Sequence, residues 1–98
     1  MNIMLVCNAG MSTGMLAKRM EKVSEGKCNV KAYGIAEYMD HLENVDVILI
    51  SPQIRFESDG IKKSAGNIAV LNIDPMNYGS MNAEAVLKTV YDKLGGGK

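Results

Sequence analysis

Tryptophan is absent from the 98 residues, phenylalanine occurs once, and four tyrosines complete the aromatic set. Methionine is abundant instead, at eight residues, and is read as adaptable core filler. Net charge is also missing: 11 basic residues balance 11 acidic ones. Nucleic-acid binding rests largely on a basic surface, so it is excluded as the main activity. No apolar run approaches the roughly 20 residues that span a bilayer, so no membrane insertion is expected. The start, Met1 to Val6, lacks the charged region and cleavage site of a signal peptide, and the expected location is the cytoplasm. Two cysteines, Cys7 and Cys28, form no dithiol motif, and with His41 they fall short of the four or so ligands of a zinc site. No metal is expected, and in a reducing compartment both cysteines should be free thiols. Internal repeats and interior low-complexity stretches are lacking too. A chain of this length and ordinary composition implies one domain over residues 1–98, with 95–98 as a frayed, flexible tail.

What is present is an alternation of strand and helix signals. Asn2 to Val6, Val45 to Ile50 and Ile68 to Ile73 are continuous apolar runs, as expected of parallel strands covered on both faces. In Val30 to Gly34, Lys31 alternates with apolar neighbours, which suits an edge strand. Leu16, Met20 and Val23 mark one face of a helix from about Met11 to Glu25, stopped by Gly26. The final helix carries Ala83, Val86, Leu87, Val90, Tyr91 and Leu94 on one face, with Ser80 or Asn82 as its cap and Gly95 as its end. Two shorter helices are expected at Ile35 to Leu42 and Gln53 to Ser64, the second interrupted by Gly60. The order βαβαβαβα predicts an α/β fold with a parallel sheet and helices on both faces. Ligands of such sheets sit at the carboxyl ends of the strands, here the loops after Val6, Ile50 and Ile73.

The first of these loops, Cys7-Asn8-Ala9-Gly10-Met11-Ser12-Thr13-Gly14, joins a buried strand to a helix. Unpaired backbone amides at a helix start carry partial positive charge and bind anions. The same field favours thiolate, the reactive form of a cysteine. Gly10 lets the backbone turn its amides inward, and Ser12 and Thr13 add hydroxyl donors. Taken singly, Cys7 fits a small buried hydrophobe, and Ser12 or Thr13 a plain helix cap. Taken together, at the ligand-binding end of the sheet, these residues predict a phosphate cradle with Cys7 as nucleophile. The loop is not a Walker-type nucleotide site, for it lacks the Gly-Lys-Ser/Thr ending.

With Met15-Leu16 following, this loop resembles the active-site loop of IIB components of sugar phosphotransferase systems, of the lactose/cellobiose/chitobiose type. The resemblance continues along nearly the whole chain. Ser51-Pro52-Gln53-Ile54 is similar to the family's Gly-Pro-Gln-Ile segment, and Ile73-Asp74 with Tyr78-Gly79 resembles its fourth-strand loop. It implies a single-domain, three-layer sandwich with sheet order 2-1-3-4, similar to small tyrosine phosphatases. It further implies a phosphoryl carrier: Cys7 accepts the group from a phosphohistidine on IIA and passes it to a sugar, a β-disaccharide by analogy, held by the membrane permease IIC. The carrier would then be a cytoplasmic monomer, transiently at the inner membrane face, with no cofactor. Ser51 replaces the family's usual glycine, and Gly14 stands where a second small polar residue is common. Neither change alters the nucleophile.

The rival is a small cysteine-dependent phosphatase or arsenate reductase, whose loop reads Cys-x5-Arg-Ser/Thr on a similar fold. The sixth residue after Cys7 is Thr13, so the arginine that clamps phosphate and stabilises the transition state is missing. Asp74-Pro75 matches the Asp-Pro of such phosphatases, where the aspartate is the general acid. An Asp-Pro after a strand also simply starts a turn, and the missing arginine favours that reading. Gln53 and Tyr78 would flank the loop or meet a partner, and helix-start and turn roles fit them equally. His41 is expected on the surface, and Cys28 is read as structural, at the sheet end away from Cys7.

Overall fold

The computed structural model describes residues 1–8 and 11–94, apart from the side chains of Met11 and Ser12. Four strands form one parallel sheet: β1 (Asn2–Cys7), β2 (Asn29–Gly34), β3 (Val47–Ile50) and β4 (Ala69–Asn72), in the order β2-β1-β3-β4. Helices α1 (Met11–Val23), α2 (Ser58–Ala65), α3 (Pro75–Gly79) and α4 (Ala83–Leu94) complete the regular structure with two 3₁₀ segments, Tyr38–His41 and Pro52–Glu57. The expected alternation and strand order are both observed.

Side chains of the central strands divide between the two faces by the two-residue period of a strand. Ile3, Leu5, Val47 and Leu49 pack with Leu16, Ala17 and Met20 of α1 and Ala83, Val86, Leu87 and Val90 of α4. Met4, Val6, Ile48 and Ile50 face the other way, against Tyr38, Ile54, Ile61 and Ala65. This double coverage explains why β1 and β3 read as unbroken apolar runs. Each large side chain so buried contributes about 1.5–3 kcal/mol.

Several elements depart from their expected bounds. The ladder of β3 starts at Val47 rather than Val45, because Asp46 is engaged with Asn2: its carboxylate accepts from the Asn2 N–H at 2.7 Å, and its own N–H donates to the Asn2 carbonyl at 2.8 Å. β4 is an edge strand, so Val70 and Leu71 are only half-buried instead of covered on both faces. The Ile35 to Leu42 helix is replaced by a turn and a single 3₁₀ stretch. Its bonds are of the i→i−3 kind, Glu37 N–H to the Gly34 carbonyl and Asp40 N–H to the Glu37 carbonyl. The Gln53 to Ser64 helix is likewise split. Ile54 takes φ −121° and ψ 28°, which breaks the helix while its side chain is buried against the sheet, and α2 begins only at Ser58. Gly60 lies on the exposed side of α2, with open space around it.

In α1, Val23 is 42% exposed, and the buried row runs Thr13, Leu16, Met20 and Ser24. Ser24 tolerates burial because its hydroxyl donates to the Glu21 carbonyl and accepts from the Cys28 N–H. The apolar pattern alone had no means of including it. Asn82 is the cap of α4, its side-chain oxygen accepting from the Ala85 N–H at 3.1 Å. Ser80 instead donates back to the Met76 carbonyl. The expected stop at Gly95 and the tail to Lys98 fall outside the described residues.

Candidate functional site

Cys7 closes β1 at the carboxyl end of the sheet and is 2% exposed. Its carbonyl accepts from the Ile35 N–H at 2.8 Å, which fixes the strand end against the start of the next connection. Asn8 follows, exposed. Ala9 and Gly10 lie outside the described residues, as do the side chains of Met11 and Ser12, so the expected loop is seen at its two ends.

The far end is informative. α1 begins at Met11, and Thr13 in its first turn is completely buried. The Thr13 hydroxyl donates to Cys7 Sγ at 2.7 Å. The sheet and the helix thus meet at one sulfur atom, with a donor aimed at it. The first turn of α1 contains no acidic residue, so no carboxylate opposes the partial positive charge that a helix start presents. Gly14 is half-buried, and a Cβ there would meet nothing within 4 Å, so its identity is not forced by packing.

The other expected site residues are more scattered. Gln53 is exposed in the 3₁₀ segment after β3. Asp74 is exposed after β4, where its side chain accepts from the Met76 N–H at 2.8 Å and its carbonyl from the Tyr78 N–H at 2.9 Å. It caps α3, a short helix in place of the expected turn, and Pro75 occupies the first helical position, where its missing N–H is harmless. Tyr78 is half-buried and packs at the margin of the α1/α4 core. No hydrogen bond joins Gln53 or Asp74 to Cys7 among the described residues.

One residue near Cys7 enters the sequence reading only as a departure from a family motif. Ser51 follows β3, is fully buried, and its backbone N–H donates to the Val6 carbonyl at 2.9 Å. The ladder pairs Val6 with Ile50, so Ser51 extends β3 beside Cys7. The register of two strands ending together was the signal available for it.

Elsewhere, a groove of about 410 Å³ lies at the opposite end of the sheet, between the start of β1 and the Tyr38–His41 segment. His41 is exposed there and stacks on Tyr33 with ring centroids 4.1 Å apart. Cys28 is buried immediately before β2, at the amino end of the sheet and therefore away from Cys7. Cys28 Sγ and Tyr91 Oη share a hydrogen bond of 3.3 Å. That bond first, and burial second, hold the Tyr91 hydroxyl above the ordinary phenol range. Among the described residues, no three His, Cys, Asp or Glu side chains cluster as a metal site would require. None of the described helices is long and apolar enough to cross a membrane.

Comparison with known proteins agrees with this architecture. An oligo-beta-mannoside-specific EIIB component of a PTS system from Bacillus subtilis is 33% identical, over 79% of this chain and 80% of the relative. A cellobiose-specific EIIB component from Lactococcus lactis is 34% identical, over 87% and 88%. The solution structure of a cellobiose-specific IIB component from Borrelia burgdorferi superposes with a TM-score of 0.64 at 40% identity, covering 90% of this chain and 85% of that one. A lactose-specific IIB domain from Streptococcus pneumoniae shares the fold with a TM-score of 0.77 at 16% identity, covering 94% and 95%. Residues 2–89 match the family described as PTS system, Lactose/Cellobiose specific IIB subunit, and the chain belongs to that family.

Proposed function

We propose that residues 1–98 act as one phosphoryl-carrier domain in which Cys7 relays a phosphoryl group from IIA to a sugar bound by IIC. The observation that carries this reading is the Thr13 hydroxyl donating to the sulfur of a buried cysteine at the start of α1. In the first step the Cys7 thiolate attacks the phosphorus of the IIA phosphohistidine. The S–P bond forms as the N–P bond breaks, and the departing imidazole takes up a proton. Loop amides from Asn8 to Gly14, with the Ser12 and Thr13 hydroxyls, hold the phosphoryl oxygens. In the second step a sugar hydroxyl attacks the same phosphorus. The O–P bond forms, the S–P bond breaks, Cys7 is regenerated as thiolate, and the hydroxyl proton passes to solvent or to a base on IIC. A β-linked disaccharide is the proposed class of sugar, by analogy with the relatives named for cellobiose and oligo-β-mannosides. The carrier works at the cytoplasmic face of the membrane. The test is a chase: protein carrying labelled phosphoryl is added to membranes containing a family IIC and cellobiose. Label should move to the sugar; label that appears only as inorganic phosphate would support a hydrolase instead.

Asp74 is assigned to folding rather than to proton transfer, since its carboxylate is engaged by the Met76 N–H. Asp74→Ala should cost about 1 kcal/mol of stability, as loss of an N-cap does. Phosphoryl transfer should stay within about twofold of wild type, whereas loss of a general acid costs about a hundredfold or more. Denaturant unfolding and transfer rates on one preparation separate the two roles.

The docking surface for IIA surrounds the carboxyl end of the sheet. Phe56 and Met76 are 81% and 82% exposed, and they lie on the segments that leave β3 and β4 at that end. They offer apolar side chains at the end of the sheet where IIA must approach Cys7. Phe56→Asp and Met76→Asp should each slow transfer from IIA about tenfold, the effect of an interface residue worth somewhat over 1 kcal/mol. Neither should lower the melting temperature, because neither side chain belongs to the core. Stopped transfer reactions and thermal melts check both statements.

A further inference from the structure

Three polar residues are buried among the described ones: Thr13, Ser24 and Ser51. The hydroxyl of Thr13 is bonded to Cys7 Sγ, and that of Ser24 to two backbone groups. The Ser51 hydroxyl alone of these three has no partner among the described residues, although its side chain is wholly removed from solvent. Buried hydroxyls are nearly always satisfied, and an orphan destabilises the fold, so the exception calls for a cause. Ser51 also forgoes the local bond open to it. It stands at the N-cap of the Pro52–Glu57 segment, where a serine hydroxyl ordinarily accepts from the helix start, and it makes no such bond.

Its position supplies the cause. β1 and β3 pair in parallel up to Val6 and Ile50, and the Ser51 N–H bonds to the Val6 carbonyl, so Cys7 and Ser51 are neighbours one step further on. Leu5 and Leu49, two residues earlier, both point into the α1/α4 core. The alternation of a strand therefore turns Cys7 and Ser51 to the same face, with backbones roughly 5 Å apart. That Cys7 faces α1 is borne out by its bond to Thr13. The sulfur thus has a hydroxyl donor on the helix side and a second hydroxyl on the adjacent strand.

We infer that Ser51 is a phosphoryl-binding residue, its hydroxyl donating to an oxygen of the group carried on Cys7. This rests on the relay proposed above and adds to it a donor that the family's Gly-Pro-Gln-Ile segment, with glycine at this place, does not provide. In the unphosphorylated protein the donor is idle. Phosphorylation gives it a charged acceptor, so Ser51 shifts the exchange with IIA towards phosphocysteine and leaves the resting fold no better off.

The test compares wild type, Ser51→Ala and Ser51→Gly after equilibration with a phosphorylated lactose/cellobiose-type IIA, reading the phosphorylated fraction by intact mass and stability by thermal melting. Ser51→Ala should melt at or above the wild-type temperature, because an unsatisfied hydroxyl has been removed, and Ser51→Gly should melt lower, because it also empties a buried position and frees the unfolded backbone. Both should lower the equilibrium constant for accepting the phosphoryl group about tenfold, as expected for one hydrogen bond to a charged group. Unchanged equilibrium constants, with wild type phosphorylated, would overturn the role of Ser51 and leave the relay standing. So would a change confined to one variant, since packing rather than the shared loss of hydroxyl would then be responsible. A wild-type protein that accepts no phosphoryl group would overturn the relay and this role together.

Discussion

Cys7→Ser is expected to fold like wild type and to accept no phosphoryl group from IIA. Serine leaves a polar atom opposite the Thr13 hydroxyl, so the buried donor keeps an acceptor and the helix start is not disturbed. A serine hydroxyl is almost wholly protonated at neutral pH and is a far weaker nucleophile than a thiolate. No base is seen bonded to this position among the described residues to compensate. Cys7→Ala would be the poorer test, because it strands the Thr13 hydroxyl at a cost of about 1–3 kcal/mol and confounds chemistry with stability. Cys28→Ser supplies the control. Its thiol lies at the other end of the sheet, bonded to Tyr91, and should be dispensable for transfer. Intact mass after mixing with phosphorylated IIA reads all three proteins in one experiment, and circular dichroism confirms their folding.

Thr13→Val should slow transfer about tenfold to a hundredfold while leaving the fold nearly intact. Valine has the outline of threonine without its hydroxyl, so the completely buried position stays filled while its hydrogen bond is lost. What is lost is the hydroxyl that donates to Sγ at 2.7 Å. A hydrogen bond to a group that must act as an anion is worth about 1.5–3 kcal/mol, and each 1.4 kcal/mol is a factor of ten. The bond also holds the thiol in one rotamer, aimed from the strand end towards the helix start. Thr13→Ser keeps the donor and sacrifices a methyl group. It should therefore transfer much faster than Thr13→Val while being the less stable of the two. A packing role alone would reverse that order, with the valine variant the more active. Single-turnover rates set beside unfolding midpoints discriminate between the two.

Thr13 also shows how far the sequence could be read. Its place as sixth residue after Cys7 marks the absence of a phosphatase-type arginine, and this is visible in the chain alone. That its hydroxyl reaches the sulfur is a tertiary fact, set by where α1 meets β1. The sheet was legible for a similar reason of scale. β1 and β3 are apolar on both faces because helices or 3₁₀ segments cover both, and that pattern survives in sequence as unbroken runs. The weaker elements were not legible. The 3₁₀ segments are short and lack a side-chain cap, α3 is held by the Asp74 cap on the Met76 N–H, and none of them carries a periodic apolar signature. Val23 is exposed where the helical pattern expects it on the buried face, and Ser24 takes the buried place because a serine with both hydrogen-bonding directions satisfied can be buried like an apolar residue. Ser51 was seen only as a departure from a family motif. Its significance needs the register of β3 against β1, which puts it next to the cysteine.

The central claim is that the phosphoryl group rides on the sulfur of Cys7. The measurement that tests it most directly is peptide-level mapping of the wild-type protein after brief mixing with phosphorylated IIA, under conditions that preserve phosphocysteine. One phosphoryl group, on the peptide containing Cys7 and on no other, with little inorganic phosphate released over the same interval, is the predicted result. A group on His41 or Cys28, or an unmodified protein beside a stoichiometric loss of phosphate from IIA, would contradict it.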